Sequence, residues 1–259
     1  MRMYGGFARV YDKLMADVDR ASWAQYLLAL LPAPTGLAVT DCACGTGALT
    51  LPLARAGHRL TGVDVSPEML AVAMEKARGA GLDIPFVRQD IRSLALHRAQ
   101  DAIVCACDGV NYLARREGAE EFFRAACRAL KPGGVLLFDV SSRYKLSVIL
   151  GNNTFAQDEE EAAYLWRNEY DEARKLLTME LTFFRREADG RYARFAETHV
   201  QRAHSQRELT AALSRAGFED IAVYGAFTFD PPGENAERLQ FAARKPLPSK
   251  ERNENEHAR

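Results

Sequence analysis

Two short segments carry the residue types best placed to do chemistry. Val39-Thr-Asp41-Cys-Ala-Cys-Gly45-Thr-Gly47 reads as the end of a buried strand, a glycine turn and the start of a helix. A single acid, Asp64, follows at the end of a second strand, about twenty residues on. Glycines let the backbone approach a ligand closely. An isolated carboxylate at a strand end offers two oxygens to a pair of hydroxyls. A ligand bearing a nucleoside needs this combination: room over the turn and acceptors for its ribose.

Such residues need a scaffold. Apolar runs at 37–41, 59–63, 85–89, 101–107 and 135–140 read as strands, and 48–56, 67–78 and 117–130 as helices. Ser66 is placed to cap the second of these helices, with Pro67 and Glu68 in its first turn. Five strands alternating with helices through short connections imply an α/β fold with a doubly wound, Rossmann-like parallel sheet and helices on both faces. A later helix at 205–216 and strands at 222–226 and 239–244 bring the sheet to seven strands. Between about 143 and 203 the pattern becomes strand-like, with runs at 163–170, 176–185 and 191–201 and a hairpin signal at Asp189-Gly190. That stretch is expected to be an antiparallel β cap inserted after the fifth strand. Residues 3–31 read as helical. The expected organisation is one domain over 1–246, with a helical lid at 1–35, the cap at 143–203, and a disordered tail at 247–259.

The chain has 259 residues, 47% hydrophobic and 27% charged, with a formal net charge of −1, as an ordinary globular protein does. No basic stripe stands out, so nucleic acid is not an expected partner. No apolar run reaches the roughly 18 residues of a membrane span, and the first residues lack the apolar stretch of a signal peptide. The expected location is the cytoplasm. Cys42, Cys44, Cys105, Cys107 and Cys127 suit small buried hydrophobes better than metal ligands, and no metal is expected.

Four segments together resemble the class I S-adenosylmethionine-dependent methyltransferases. They are Asp41-Cys-Ala-Cys-Gly45-Thr-Gly47; Gly62-Val-Asp64-Val-Ser66-Pro-Glu-Met69-Leu; Val87-Arg-Gln-Asp90-Ile91; and Leu130-Lys-Pro-Gly-Gly134-Val-Leu-Leu-Phe. They span roughly 36–140, and Ala216-Gly-Phe218 also fits. Ala43 stands where many members have glycine. The N-terminal Tyr4-Gly-Gly-Phe-Ala-Arg-Val-Tyr11-Asp12 is similar to stand-alone bacterial small-molecule methyltransferases, and the cap's position to that of sugar-amine and glycine N-methyltransferases. The resemblance implies S-adenosylmethionine as cofactor and S-adenosylhomocysteine as product. Gly45, Gly47 and Asp41 would take the amino-acid end and Asp64 the ribose. Met69, Asp90 and Ile91 would take the adenine. Tyr11 would close over the ligand, and Asp108 would stand near its reactive end.

The acceptor side is less legible. Asp108-Gly-Val-Asn111-Tyr112 follows the fourth strand and faces the crevice in such folds. Asn111 and Tyr112 are candidates to position an acceptor, and His199 and His204 are candidate bases. The expected activity is in-line methyl transfer to N or O of a small molecule by a monomer or homodimer. RNA or protein methylation, and a non-catalytic cofactor-binding scaffold, are the alternatives. Nicotinamide oxidoreduction fits poorly: its fingerprint wants glycine or alanine where Thr50 stands. Aminopropyl transfer would want an acidic acceptor pocket, and this loop offers only Asp108.

Overall fold

Alternation along the central strands decides the architecture. The computed structural model describes Ala8, Asp12 and residues 19–160, 162–187 and 189–248. In β4 (Gln100–Cys105), Ile103 and Cys105 enter one core, while Ala102 and Val104 enter another. In β5 (Leu130–Ser141), Leu136 and Phe138 face the first core, and Val135 and Leu137 the second. Strands buried on both faces belong in the middle of a parallel sheet covered on both sides.

The seven-stranded sheet also contains β1 (Ala38–Cys42), β2 (Arg59–Asp64), β3 (Phe86–Arg88), β10 (Glu219–Gly225) and β11 (Arg238–Arg244), in the order β10-β11-β5-β4-β1-β2-β3. β1 to β5 pair in parallel, and β11 runs antiparallel to both of its neighbours. Because β1 lies between β2 and β4, the winding reverses there and leaves a crevice at the C-terminal strand ends. α1 (Arg20–Leu30) and α2 (Thr50–Arg55) cover one face. α4 (Gly118–Ala129) and α5 (Gln206–Arg215) cover the other. α3 (Pro67–Gly79) packs beside β2 and β3. Phe123, Phe138 and Phe241 stack in series through the second of these layers, with ring centroids 5.0 and 4.7 Å apart.

The expected seven-stranded sheet and inserted cap are present. β5 differs in starting at Leu130, because that residue already pairs with Gln100 before a bulge takes the chain through Lys131-Pro-Gly-Gly134. Of the expected helix at 3–31, the described stretch is α1, and most of the rest, with Tyr11, lies outside the described residues. The expected tail likewise lies outside them beyond 248. No helix among the described residues is long and apolar enough to cross a membrane.

The cap has four antiparallel strands: β6 (Thr154–Asp158), β7 (Ala162–Asp171), β8 (Leu176–Arg186) and β9 (Tyr192–Arg202). The sequence pattern marks three of them. β6 is a short, largely exposed edge strand with no apolar alternation to reveal it. Gly190, at φ +83°, makes the expected hairpin between β8 and β9. Register aligns Tyr164, Trp166, Asn168 and Tyr170 of β7 with Phe183, Leu181, Met179 and Leu177 of β8. The same rows continue to Phe195, Glu197, His199 and Gln201 of β9. This face looks toward the main sheet: Phe183 packs with Met69 and Ala8, and Leu177 and Met179 pack with Leu146 and Leu150.

One ionic cluster pins the mouth beside β4. Asp139, fully buried in β5, accepts the backbone N–H of Cys107 at 2.6 Å and of Asp108 at 3.2 Å. Both residues hold positive φ, 58° and 68°, which non-glycine residues rarely adopt. Arg238 bridges Asp108, at 2.5 Å, to Asp139, and its guanidinium lies 5.3 Å from the Trp23 ring centroid. Burial raises the Asp139 carboxyl to about 6, against the pull of Arg238 and with a push from Asp108. Burial works on Asp108 in the same direction, but Arg238 outweighs it and holds that carboxyl below its ordinary range. Replacing Arg238 would strand buried carboxylates. Arg238→Met is therefore expected to cost about 3–5 kcal/mol at pH 8. The loss should be smaller at pH 5, where Asp139 takes up a proton. Urea denaturation at the two pH values checks both the size and the sign.

Candidate active site

The glycine turn is built as its sequence requires. After β1, Ala43, Gly45 and Gly47 take φ values of 55°, 54° and 72°. Ala43 thus occupies a left-handed conformation that glycine adopts freely, which gives a physical reason for glycine at this position in similar chains. A Cβ on Gly47 would come within 2.9 Å of Leu51 Cδ1 and 3.3 Å of the Ala73 Cβ, so close helix packing fixes that residue. A Cβ on Gly45 would meet nothing within 4 Å. The turn is open above Gly45.

Asp64 stands beside that opening. Its Oδ2 accepts the Gly45 N–H at 2.9 Å, and its Oδ1 accepts the Ser66 N–H at 2.8 Å. Burial raises its pKa, partly offset by these amides. A carboxylate offers about four lone-pair positions, and the Gly45, Ser66 and Val65 amides here draw on part of that capacity. Ser66 caps α3 by accepting the Met69 N–H at 3.2 Å. Met69 itself is buried against Ala8 and Phe183 of the cap.

Asp41 is 3% exposed, and the Thr50 hydroxyl donates to it at 2.6 Å. Burial pushes its carboxyl up to about 7 despite that bond, and Asp64 adds to the shift. Asp90 begins a single 3-10 turn at Ile91–Ser93 and pairs with Arg92 at 2.5 Å. The Arg92 hydrogen bonds are the main reason its pKa lies below the usual value. Ile91 is buried in the core beside it. Asp12 reaches the turn from the N-terminal side. It accepts from the Thr46 hydroxyl and the Lys76 ammonium, both at 2.8 Å, and pairs with Arg20 at 3.1 Å.

The loop after β4 is tied down residue by residue. Asp108 is bound by Arg238 and by the Ser141 hydroxyl, which donates at 2.9 Å. Asn111 is fully buried. Its amide donates to the Ser141 carbonyl at 3.1 Å and the Arg202 carbonyl at 2.9 Å, and accepts the Ser141 N–H at 2.9 Å. Its side chain is spent on joining loop, main sheet and cap. The next residue, Tyr112, lies 3.3 Å by its hydroxyl from His199 Nδ1, and His199 Nε2 is 3.2 Å from Glu197 Oε2. His204 is also buried, and burial holds its pKa down to about 4, so it is neutral near pH 7.

The structure therefore brings Asp41, Gly45, Gly47, Asp64 and Met69 together at the C-terminal ends of β1 and β2, and Tyr112 and His199 into direct contact. Sequence reasoning missed Glu197, Asp139, Arg238 and the contacts of Asp12. Glu197 was within reach, since it lies two residues before His199 and must share its face of the strand. Asp139, an acid inside the apolar run Phe138-Asp139-Val140, carried a signal too. Arg238 carried none. An open turn of positive-φ residues, a strand-end carboxylate with lone-pair capacity to spare and a buried acid with no cationic partner among the described residues fit the adenosine and ammonium groups of S-adenosylmethionine.

Known proteins agree with that fit. Residues 39–134 match the family model described as a methyltransferase domain. The putative methyltransferase YqeM of Bacillus subtilis is 36% identical over 244 residues, which cover 94% of this chain and 97% of that protein. The crystal structure of an S-adenosylmethionine-dependent methyltransferase from Clostridium acetobutylicum superposes with a TM-score of 0.85 at 33% identity, covering 94% of this chain and 99% of the other. SAM-bound CalS10, an amino pentose methyltransferase from Micromonospora echinaspora, shares the fold with a TM-score of 0.67 at 22% identity over 95% and 97% of the two chains. The chain belongs to the class I S-adenosylmethionine-dependent methyltransferases, with S-adenosylmethionine as its cofactor.

Proposed function

We propose that this enzyme methylates a nitrogen or oxygen atom of a small-molecule acceptor. The observation that carries this reading is the cap. Its inner face closes on the mouth of the sheet, with Phe183 on Met69 at one side and the Arg202 carbonyl on Asn111 at the other. An acceptor enclosed in this way is limited in size, which favours a small molecule over folded RNA or protein. The amino pentose methyltransferase named above shares only the fold, so the local chemistry of this chain carries the argument.

Bound S-adenosylmethionine supplies a methyl group activated by a sulfonium. The residues of this chain bind and orient it. The backbone at Gly45 and Gly47 admits the amino-acid end, and Asp41 takes its ammonium. The remaining lone pairs of Asp64 take the ribose hydroxyls, and Met69, Asp90 and Ile91 border the adenine. Tyr11 and Asp108 complete the set, Asp108 from its place in the loop after β4. Methyl transfer needs no proton on the leaving thioether, so alignment supplies much of the rate, up to roughly 7–11 kcal/mol in favourable systems.

The experiment that tests this function offers labelled S-adenosylmethionine together with low-mass, RNA and protein fractions of a cell extract. Label is expected in the low-mass fraction; label only in RNA or protein refutes the small-molecule reading, and label in none of them favours a scaffold. For the cofactor site, Asp64→Ala is expected to weaken S-adenosylhomocysteine binding by about 1–3 kcal/mol, through loss of charge-assisted hydrogen bonds. Titration calorimetry measures it, and unchanged affinity removes Asp64 from the site.

Asp41 yields a prediction of opposite signs. A carboxyl raised to about 7 in the folded state favours folding fully at low pH, and loses that contribution as pH rises from about 4 to about 7. Asp41→Asn keeps the Thr50 bond without the buried charge. Relative to wild type it should gain about 2–4 kcal/mol of stability at pH 8 and little at pH 4. The same variant should bind S-adenosylhomocysteine more weakly at pH 8, because the ammonium loses its counter-charge. Denaturation and calorimetry on one preparation check both halves.

A further inference from the structure

The inner face of the cap breaks its own pattern. Along β8 the inward residues are Leu177, Met179, Leu181 and Phe183, and on β9 Phe195 continues the apolar set. Glu197, His199 and Gln201 interrupt it, at 7%, 3% and 6% exposure, and the first two are an ionisable pair. Burying a carboxylate and an imidazole side by side is costly, and apolar side chains of similar size would avoid the cost. Tethering the loop after β4 does not require the pair, since Asn111 already joins that loop to β5 and β9 with three hydrogen bonds.

The three groups have a direction. With Glu197 as a carboxylate, which can only accept, the ring proton of His199 falls on Nε2. Nδ1 is then an acceptor, and the Tyr112 hydroxyl donates to it. Tyr112 is only half-buried, unlike the other two, and it sits on the loop at the mouth of the main sheet. The chain of hydrogen bonds runs from the mouth into the cap and ends on a carboxylate.

We propose that Tyr112, His199 and Glu197 form a proton relay that takes the acceptor's proton during methyl transfer. The proposal rests on the small-molecule reading above and deepens it, because it requires an acceptor that carries a removable N–H or O–H. The acceptor's lone pair forms the new bond to the methyl carbon while the carbon–sulfur bond breaks, with its electron pair passing to sulfur. The methylated atom is left with one proton too many. That proton passes to the Tyr112 oxygen as the tyrosine's own proton moves to His199 Nδ1, and the imidazolium is held by Glu197. Tyr112 touches the acceptor; His199 and Glu197 act through it.

The test has one arm that needs no activity. In protein labelled with nitrogen-15 at histidine, the neutral His199 ring should be the Nε2–H tautomer, with Nδ1 unprotonated and hydrogen-bonded. An Nδ1–H tautomer overturns the relay. In the second arm, Tyr112→Phe and Glu197→Gln are compared with wild type for methyl transfer into the same low-mass extract. Transfer is expected to fall about a hundredfold in each, while affinity for S-adenosylhomocysteine stays within about twofold, since neither group is assigned to that ligand. Undiminished transfer also overturns the relay. If the wild-type protein labels no low-mass acceptor yet binds S-adenosylhomocysteine and shows the Nε2–H tautomer, the small-molecule reading has failed and the relay loses its purpose with it.

Discussion

Carboxylates at strand ends hold the backbone of the turns next door, and the crevice depends on it. Asp64, ending β2, accepts the amide of Gly45 in the turn that follows β1. Asp139, near the end of β5, accepts the amides of Cys107 and Asp108 in the turn that follows β4. β1 and β4 are the neighbours between which the winding reverses, so the same device is used on both sides of the switch point. Each carboxylate fixes the conformation of the turn whose amides it accepts. Backbone held at positive φ by Ala43, Cys107 and Asp108 is strained, and strain of this kind persists only where the surroundings impose it.

The two sides differ in what balances the buried charge. Beside β4, Arg238 lies against Asp108 and Asp139, and the cluster is complete within the protein. Beside β1, Asp64 adds to the cost of ionising the buried Asp41, and hydroxyl and amide donors are the partners of the two acids among the described residues. The contrast matches their proposed work. Asp139, held by its own arginine, shapes a loop, whereas an acid with no cation beside it among the described residues is suited to receive one from a ligand.

The cap does more than cover. Its register places an aromatic end over Met69 and a polar centre next to Tyr112, so one sheet meets both the Met69 side and the loop side of the mouth. β9, an edge strand, gives the polar residues, and its Arg202 carbonyl ties it to Asn111 in the loop. Loop and cap are thus one unit.

By itself the sequence determined the order of elements, the seven-stranded α/β sheet, the glycine turn with its following acid, and the insertion of a β cap. These depend on local periodicity and on glycine and proline chemistry, which act over a few residues and leave a visible pattern. Asp41, Asp64 and Met69 were legible for the same reason, each lying at a fixed step from a strand end or a helix cap. Only the tertiary structure decided which polar side chains meet. Tyr112 and His199 are 87 positions apart, and Arg238 is 130 from Asp108. No local rule links such residues. Their pairing follows from the order of strands in one sheet and the register of the other, and those are settled by burial of apolar faces along the whole chain. The edge strand β6 escaped for the converse reason: it buries too little for its sequence to record it.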